Sequence, residues 1–303
     1  MGRVGARLVQ MMRPVDWLVA GYQLAMAVAA VVFRDNIDSW ATVSSRHLLA
    51  LAVVVTVRGL AVKYPRRWLV VLSEWYIGLA LPLAYAWAGD FVHAVFPWKI
   101  DRTLYAVDLW MFGADPTDFL QRFARPWLTD LMQLSYCSFF LILFSGYLVL
   151  YLKGDRKHYQ DYEFVVIAGL YGTYAWFMLL PAHSPRFITC PDLMLQGGWI
   201  TEKINRLLAD NAYAGGAFPS GHGAVSVSIC AFLWRYARRW APLFTLLTLL
   251  LLLSTVYGGY HYVIDLLAGM VHGGLASLGA ILWNREWRRR GLLQASPSAR
   301  RDG

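Results

Sequence analysis

His261 and Asp265 lie four positions apart, at the end of the stretch from Ser254 to Asp265. A helix brings two such side chains to one face. A carboxylate against one imidazole nitrogen fixes the tautomer and raises the basicity of the other, which makes the histidine a nucleophile toward phosphorus. A second stretch, Gly216-Ala217-Phe218-Pro219-Ser220-Gly221-His222-Gly223, carries the Pro-then-Ser pattern of a helix start. Ser220 can cap that helix and leave its first amides exposed. Exposed amides at the positive end of a helix dipole form an anion site, and His222 in the first turn points at the same spot. In Pro181-Ala182-His183-Ser184-Pro185-Arg186-Phe187, Arg186 offers a planar fork that can clamp phosphate oxygens. Each piece also has a plainer reading: an ordinary cap with an interfacial histidine, a His–Asp staple at a helix end, and an arginine meeting lipid headgroups.

The elements that must position these residues are membrane helices. Of 303 residues, 58% are hydrophobic and 16% charged, against about a quarter charged in an ordinary soluble chain. We read eight spans, near 15–33, 44–62, 68–89, 129–152, 163–182, 221–236, 241–259 and 263–283, several long enough to cross about 30 Å of hydrocarbon. The predicted fold is an all-α polytopic transmembrane helical bundle. Its expected divisions are N-terminal transmembrane helices over 1–89, an outer interfacial amphipathic loop over 90–128, a catalytic transmembrane core over 129–284 and a basic, disordered tail over 285–303. Arg3, Arg7 and Arg13 before an apolar run also resemble a secretory signal, but the run is span-length and is read as an uncleaved anchor.

Nineteen of the 28 basic residues fall at the termini or in loops on one side, which places both termini in the cytoplasm. The formal charge of +9 then follows from topology and anionic headgroups, and calls for no nucleic-acid partner. Short loops favour a bacterial inner membrane. Cys137, Cys190 and Cys230 form neither a disulfide framework nor a metal-ligand spacing and read as apolar fillers. In the loop 90–128, Phe91, Val95, Leu104 and Phe119 alternate with Asp101, Asp108, Asp115 and Asp118. That pattern suits short interfacial helices, which either roof a cavity or simply anchor the loop. Glu74 within the third span is read as a helix–helix polar contact. Asp130 and Tyr136 are minor candidates for lining the cavity.

With this topology the sixth span runs inward and the seventh returns, so His222 and His261 meet the same outer face although 39 positions separate them. Two histidines, one backed by Asp, beside an amide nest suit phosphoryl transfer: one attacks and the other protonates the leaving oxygen. Pro219-Ser220-Gly221-His222 and the His261 to Asp265 spacing resemble the second and third signature motifs of the type 2 phosphatidic acid phosphatase superfamily. The Leu180 to Arg186, Asp108 to Pro116 (DLWMFGADP) and Val256 to Gly269 stretches resemble its inositol phosphorylceramide synthase-like branch. The likeness spans about residues 90–284. It implies a six-helix phosphatase-type core, His261 as nucleophile forming a phosphohistidine, Asp265 as its orienting carboxylate and His222 as general acid. It also implies phosphate ligation by Ser220, Gly221 and Arg186, with no metal and no cofactor.

Two positions depart from the family pattern. The first motif's Lys, seven positions before its Arg, is Leu179 here, and the Arg that follows the third motif's Ser is Thr255. A phosphomonoester brings about two negative charges, so a cation-poor pocket favours a phosphodiester; Arg46, Arg122 or Arg125 can restore the missing charge. The expectation is therefore a lipid phosphotransferase or phosphatase, acting on a lipid phosphate or phospholipid and passing the group to a lipid hydroxyl acceptor or to water at the outer face. The rivals are a lipid phosphate phosphatase and a non-catalytic lipid-binding or transport protein. Against the last stand the intact His222, His261 and Asp265 and the lack of internal repeats.

Overall fold

The computed structural model describes residues 11–190, 195–211 and 215–292. Within them the chain is an all-α bundle with no strand. The helices are α1 (Pro14–Val32), α2 (Trp40–Lys63), α3 (Arg67–Leu79), α4 (Leu81–Ala88), α5 (Asp101–Phe112), α6 (Pro116–Gln121), α7 (Pro126–Leu152), α8 (Arg156–Leu179), α9 (Pro185–Ile188), α10 (Trp199–Asn211), α11 (Gly221–Tyr236), α12 (Ala241–Tyr257) and α13 (Val263–Arg289).

Six segments among the described residues are long and apolar enough to cross a membrane: α1, α2, α3 with α4, α7, α8 and α13. Their outward faces carry exposed leucines such as Leu49, Leu141 and Leu275. These features make the chain an integral membrane protein. The predicted sixth and seventh spans form as α11 and α12, but at 16 and 17 residues they reach only about 24–26 Å, short of the roughly 30 Å core. The third span breaks at Ala80, because Pro82 opens a new helix and removes a donor from the old one.

The structure moves two predicted boundaries, for the same physical reason. α8 begins at Arg156 rather than 163, through a charged run that reads as loop. Three of its charges are met by partners in the bundle: Arg156 by Glu74 at 2.8 Å, Glu163 by Arg13 at 2.7 Å, and Asp161 by Arg288 at 2.5 Å. α13 likewise continues past 283 to Arg289, held by the Arg288–Asp161 pair and by Glu286 with Arg289 and Arg290. Residues 285–289 are therefore helix rather than disordered tail; the expectation of disorder for 293–303 lies outside the described residues.

α8 is the central post, packed against α1, α4, α7, α11 and α13, and Phe164, Val166, Ile167 and Tyr162 on it are fully buried. The contact of α11 with α13 is close because glycines face it. A Cβ on Gly273 would lie 1.9 Å from the Ala224 carbonyl oxygen, and one on Gly269 would lie 2.3 Å from that of Ser220. Small residues at such faces let membrane helices approach backbone to backbone.

Candidate active site

The sequence builds the start of α11 as its motif predicts. Ser220 is the N-cap in extended conformation, and its Oγ accepts the Gly223 amide at 3.2 Å. That leaves the amides of Gly221 and His222, in the first turn, without a helical partner. The Ser220 amide donates to the Asp265 carbonyl at 3.0 Å, which ties the start of α11 to the first turn of α13.

The turn from α12 to α13 is wound on Thr255, whose carbonyl accepts the amides of Tyr260 at 2.8 Å and His261 at 3.2 Å. His261 is thereby directed at α11, and His222 Nδ1 and His261 Nε2 stand 3.1 Å apart. Behind His261, its Nδ1 lies 3.4 Å from Asp265 Oδ2. This is ion-pair range but longer than an ordinary N–H···O bond, and Asp265 Oδ2 also receives the Tyr262 amide at 3.1 Å. His261 is 5% exposed and Asp265 0%. Burial pushes the His261 imidazole down to about 4, against the opposing pull of the Ala217 carbonyl. The ring is therefore neutral near pH 7 and can offer a lone pair.

Arg186 reaches this group through Tyr260. Its amide donates to the Gly259 carbonyl at 3.0 Å, and its guanidinium lies 5.2 Å from the centre of the Tyr260 ring. Tyr260 stacks on Tyr136 at 4.1 Å, and Tyr136 lies 5.0 Å from the His222 ring. The Tyr260 hydroxyl donates to Gln133, whose amide donates to Asn205 on α10. Phe139 covers the other side of His222, 4.6 Å away. The fold thus brings His222, His261, Asp265, Ser220 and Gly221 into direct contact or adjacency, with Arg186 one ring away. Gln133 and Phe139 were missed by sequence reasoning, and Tyr136 was undervalued. Their signal was a spacing of three on α7, which puts Tyr136 and Phe139 against His222 of α11 and Gln133 against Tyr260 beside it.

The remaining sequence candidates have other occupations. Arg46 pairs with Asp90 and sits 5.1 Å over the Trp87 ring. Arg122 lies over Phe119, and Arg125 bonds the neighbouring Ala124 carbonyl. At the two departures from the motif, Leu179 is 41% exposed and Thr255 is buried, with its hydroxyl turned back to Leu252. Glu74 makes the helix–helix contact expected of it, with Arg156. Asp130 caps α10, its Oδ1 accepting the amides of Gly198 at 2.9 Å and Thr201 at 3.0 Å.

The three cysteines are free. Cys190 is not merely a filler: with Asp115 and Asp118 it forms a group whose ligand-type atoms lie within 4.8 Å of one another. No spacing pattern reveals this group, because 72 and 75 positions separate the cysteine from the acids. Burial pushes the Cys190 thiol up to about 12, so it stays protonated, and its Sγ lies 3.5 Å from Asp118 Oδ1 as a donor.

A bundle of membrane helices holding two facing histidines, a buried carboxylate and an amide-lined helix start defines an integral membrane protein with a candidate active site at one end of the bundle. The chain belongs to the PAP2 superfamily, whose family model matches residues 102–279, well over half of the 303. No curated protein and no solved structure matches it. Membership supports an enzyme with a phosphatase or phosphotransferase type of activity, and with the membrane setting it points to lipid phosphate substrates.

Proposed function

We propose that this protein is a lipid phosphotransferase that carries a phosphoryl or phosphoalcohol group on His261, at the face of the membrane opposite the two termini. The observation that carries this reading is the 3.1 Å approach of His222 Nδ1 to His261 Nε2 with Asp265 behind it. In the first half-reaction the lone pair of His261 Nε2 attacks phosphorus, the P–O bond to the departing alcohol breaks, and His222 gives that oxygen a proton. In the second, an acceptor hydroxyl passes its proton to His222 as its oxygen attacks phosphorus. The P–N bond then breaks and the electron pair returns to His261. A phosphorus attacked by one ring and an oxygen protonated by the other must lie between them, so the two histidines part when substrate enters.

The free amides of Gly221 and His222, the Ser220 cap and the Arg186 guanidinium are the groups that receive the phosphate oxygens. Support for transfer over hydrolysis comes from charge. Leu179 and Thr255 replace two cations of the family motif, and Arg46 is committed to Asp90. A single guanidinium matches a phosphodiester, with about one negative charge, better than a phosphomonoester with about two. The resemblance of the Asp108 to Pro116 and Leu180 to Arg186 stretches to the inositol phosphorylceramide synthase-like branch points the same way, toward a phospholipid donor and a lipid hydroxyl acceptor such as diacylglycerol or ceramide. We assign 129–284 as the catalytic core, with 1–89 as an N-terminal helical addition, in a bacterial inner membrane.

Turnover of a lipid panel of phosphomonoesters and phosphodiesters, with and without diacylglycerol or ceramide, tests this beside His261→Ala. A new phospholipid that requires the acceptor and is lost in the variant is the expected result. Free phosphate from monoesters alone, lost in the variant, establishes a phosphatase instead. Equal activity in both proteins removes His261 from the mechanism.

A further inference from the structure

α13 carries Asp265 in its first turn and starts directly after His261, so the way its N-terminus is held sets where both groups stand. Its own N-cap residue, Tyr262, supplies no side-chain cap. The first amides are taken from outside the helix: Asp108, on α5, accepts the Val263 amide on Oδ2 at 2.7 Å and the Ile264 amide on Oδ1 at 2.9 Å. Asp108 is 2% exposed and lies 155 positions earlier in the chain. The next amide-to-carboxylate bond is Tyr262 to Asp265 itself.

The same face of α5 holds a second part of the site. Asp101 lies two helical turns before Asp108, hence on the same side, and is 3% exposed. It accepts the His183 amide at 2.5 Å, in the segment that leads to Arg186. One short helix thus fixes, by two buried carboxylates, the segment bearing the guanidinium and the helix bearing the His261–Asp265 pair. There is also a consequence for the phosphate. Two helix N-termini face this region, those of α11 and α13, and each is an anion seat if left open. Asp108 occupies the one on α13, which leaves the amides of Gly221 and His222 on α11 to take the phosphate.

We propose that Asp108 is a positioning residue for phosphoryl transfer, seating the first turn of α13 so that His261 and Asp265 are aligned toward the phosphate site on α11. This rests on His261 being the nucleophile. Asp108 touches neither reacting atom and acts through the Val263 and Ile264 amides.

The test uses the full chain in detergent with orthovanadate, a mimic of the transferred phosphoryl group, binding being read from the shift in melting temperature. The proteins compared are wild type, Asp108→Ala, Asp108→Asn, His261→Ala and Asp155→Ala. Asp155 caps α8 at the opposite end of the bundle and serves as the control for loss of a cap alone. Coulomb's law by itself says that removing a carboxylate near an anion site strengthens anion binding; the positioning role predicts the opposite sign. We expect vanadate affinity to fall about tenfold or more in Asp108→Ala, since small misplacements of a reacting group cost on the order of 100-fold. It should fall less in Asp108→Asn, which keeps one acceptor oxygen and the side-chain shape, and stay at the wild-type level in Asp155→Ala. Wild-type or tighter binding by both Asp108 variants overturns the proposal, as does an equal loss in Asp155→Ala. If His261→Ala binds vanadate as wild type does, or wild type binds none, the underlying site reading fails and this inference with it.

Discussion

His261 is the residue on which the proposed chemistry turns, and its burial has a consequence for pH. With its imidazole pushed down to about 4, the proposed nucleophile is unprotonated above that value and protonated below it. Activity that needs the lone pair is therefore present above the folded pKa and lost as pH falls through it. We expect kcat/KM for the best lipid of the panel to hold at mildly acidic pH and to fall along an acid limb at about 4, not near the ordinary imidazole value. A limb centred on the ordinary value would show that the ring is solvated in the free enzyme and that His222 or another group governs the profile. Asp265 stands where it can hold the His261 tautomer, at a 3.4 Å separation from Nδ1 that is longer than an ordinary hydrogen bond.

At the scale of the element, the contact between α11 and α13 decides whether the two histidines meet. Gly269 and Gly273 line it with backbone almost touching backbone, whereas a Cβ at Gly274 would meet nothing within 4 Å. Gly273→Ala must push α13 away from Ala224, since a carbonyl oxygen at 1.9 Å cannot swing aside as a flexible side chain can. We expect it to cost about 1–3 kcal/mol of stability, as overpacking does, and to lower kcat by separating His222 from His261. Gly274→Ala should keep full activity and gain up to about 1 kcal/mol from helix propensity. Thermal unfolding in detergent and turnover, measured on both variants, check the pair. Equal behaviour of the two would mean that the close approach of α11 to α13 is not what aligns the site.

Across the whole molecule, the end of the bundle away from the site is locked by buried charge. Arg13 bonds both Asp16 and Glu163, Arg58 bonds Asp16 at 2.9 Å, and Tyr76 adds its hydroxyl to Asp16 at 3.2 Å. Asp16 and Glu163 are 0% exposed. The network joins α1, α2 and α3, all outside the residues matched by the family model, to the central α8. Removing one member strands an uncompensated charge, so Arg13→Met is expected to destabilise by about 3–5 kcal/mol. Because the network sits at the opposite end, kcat of the protein that remains folded should be unchanged. Melting temperature beside single-turnover rate reads both. A rate loss without a stability loss would mean that the N-terminal helices act on the site.

The sequence by itself determined most of the apolar helical segments, and it named the candidate residues from which the proposed site is built. Ser220 followed by Gly221 and His222, and the four-residue step from His261 to Asp265, are local patterns, and a helix start or a helix face can be read from a few neighbouring residues. Tertiary structure decided everything that depends on remote partners. The charged run 156–163 reads as loop until Glu74, Arg13 and Arg288 neutralise charges in it from remote parts of the chain. Asp108 reads as one more acid in an amphipathic loop until the fold sets it on the amides of Val263 and Ile264. The cost of burying a charge or an unpaired amide is fixed by residue type, but whether that cost is met depends on what the rest of the chain brings within about 3 Å.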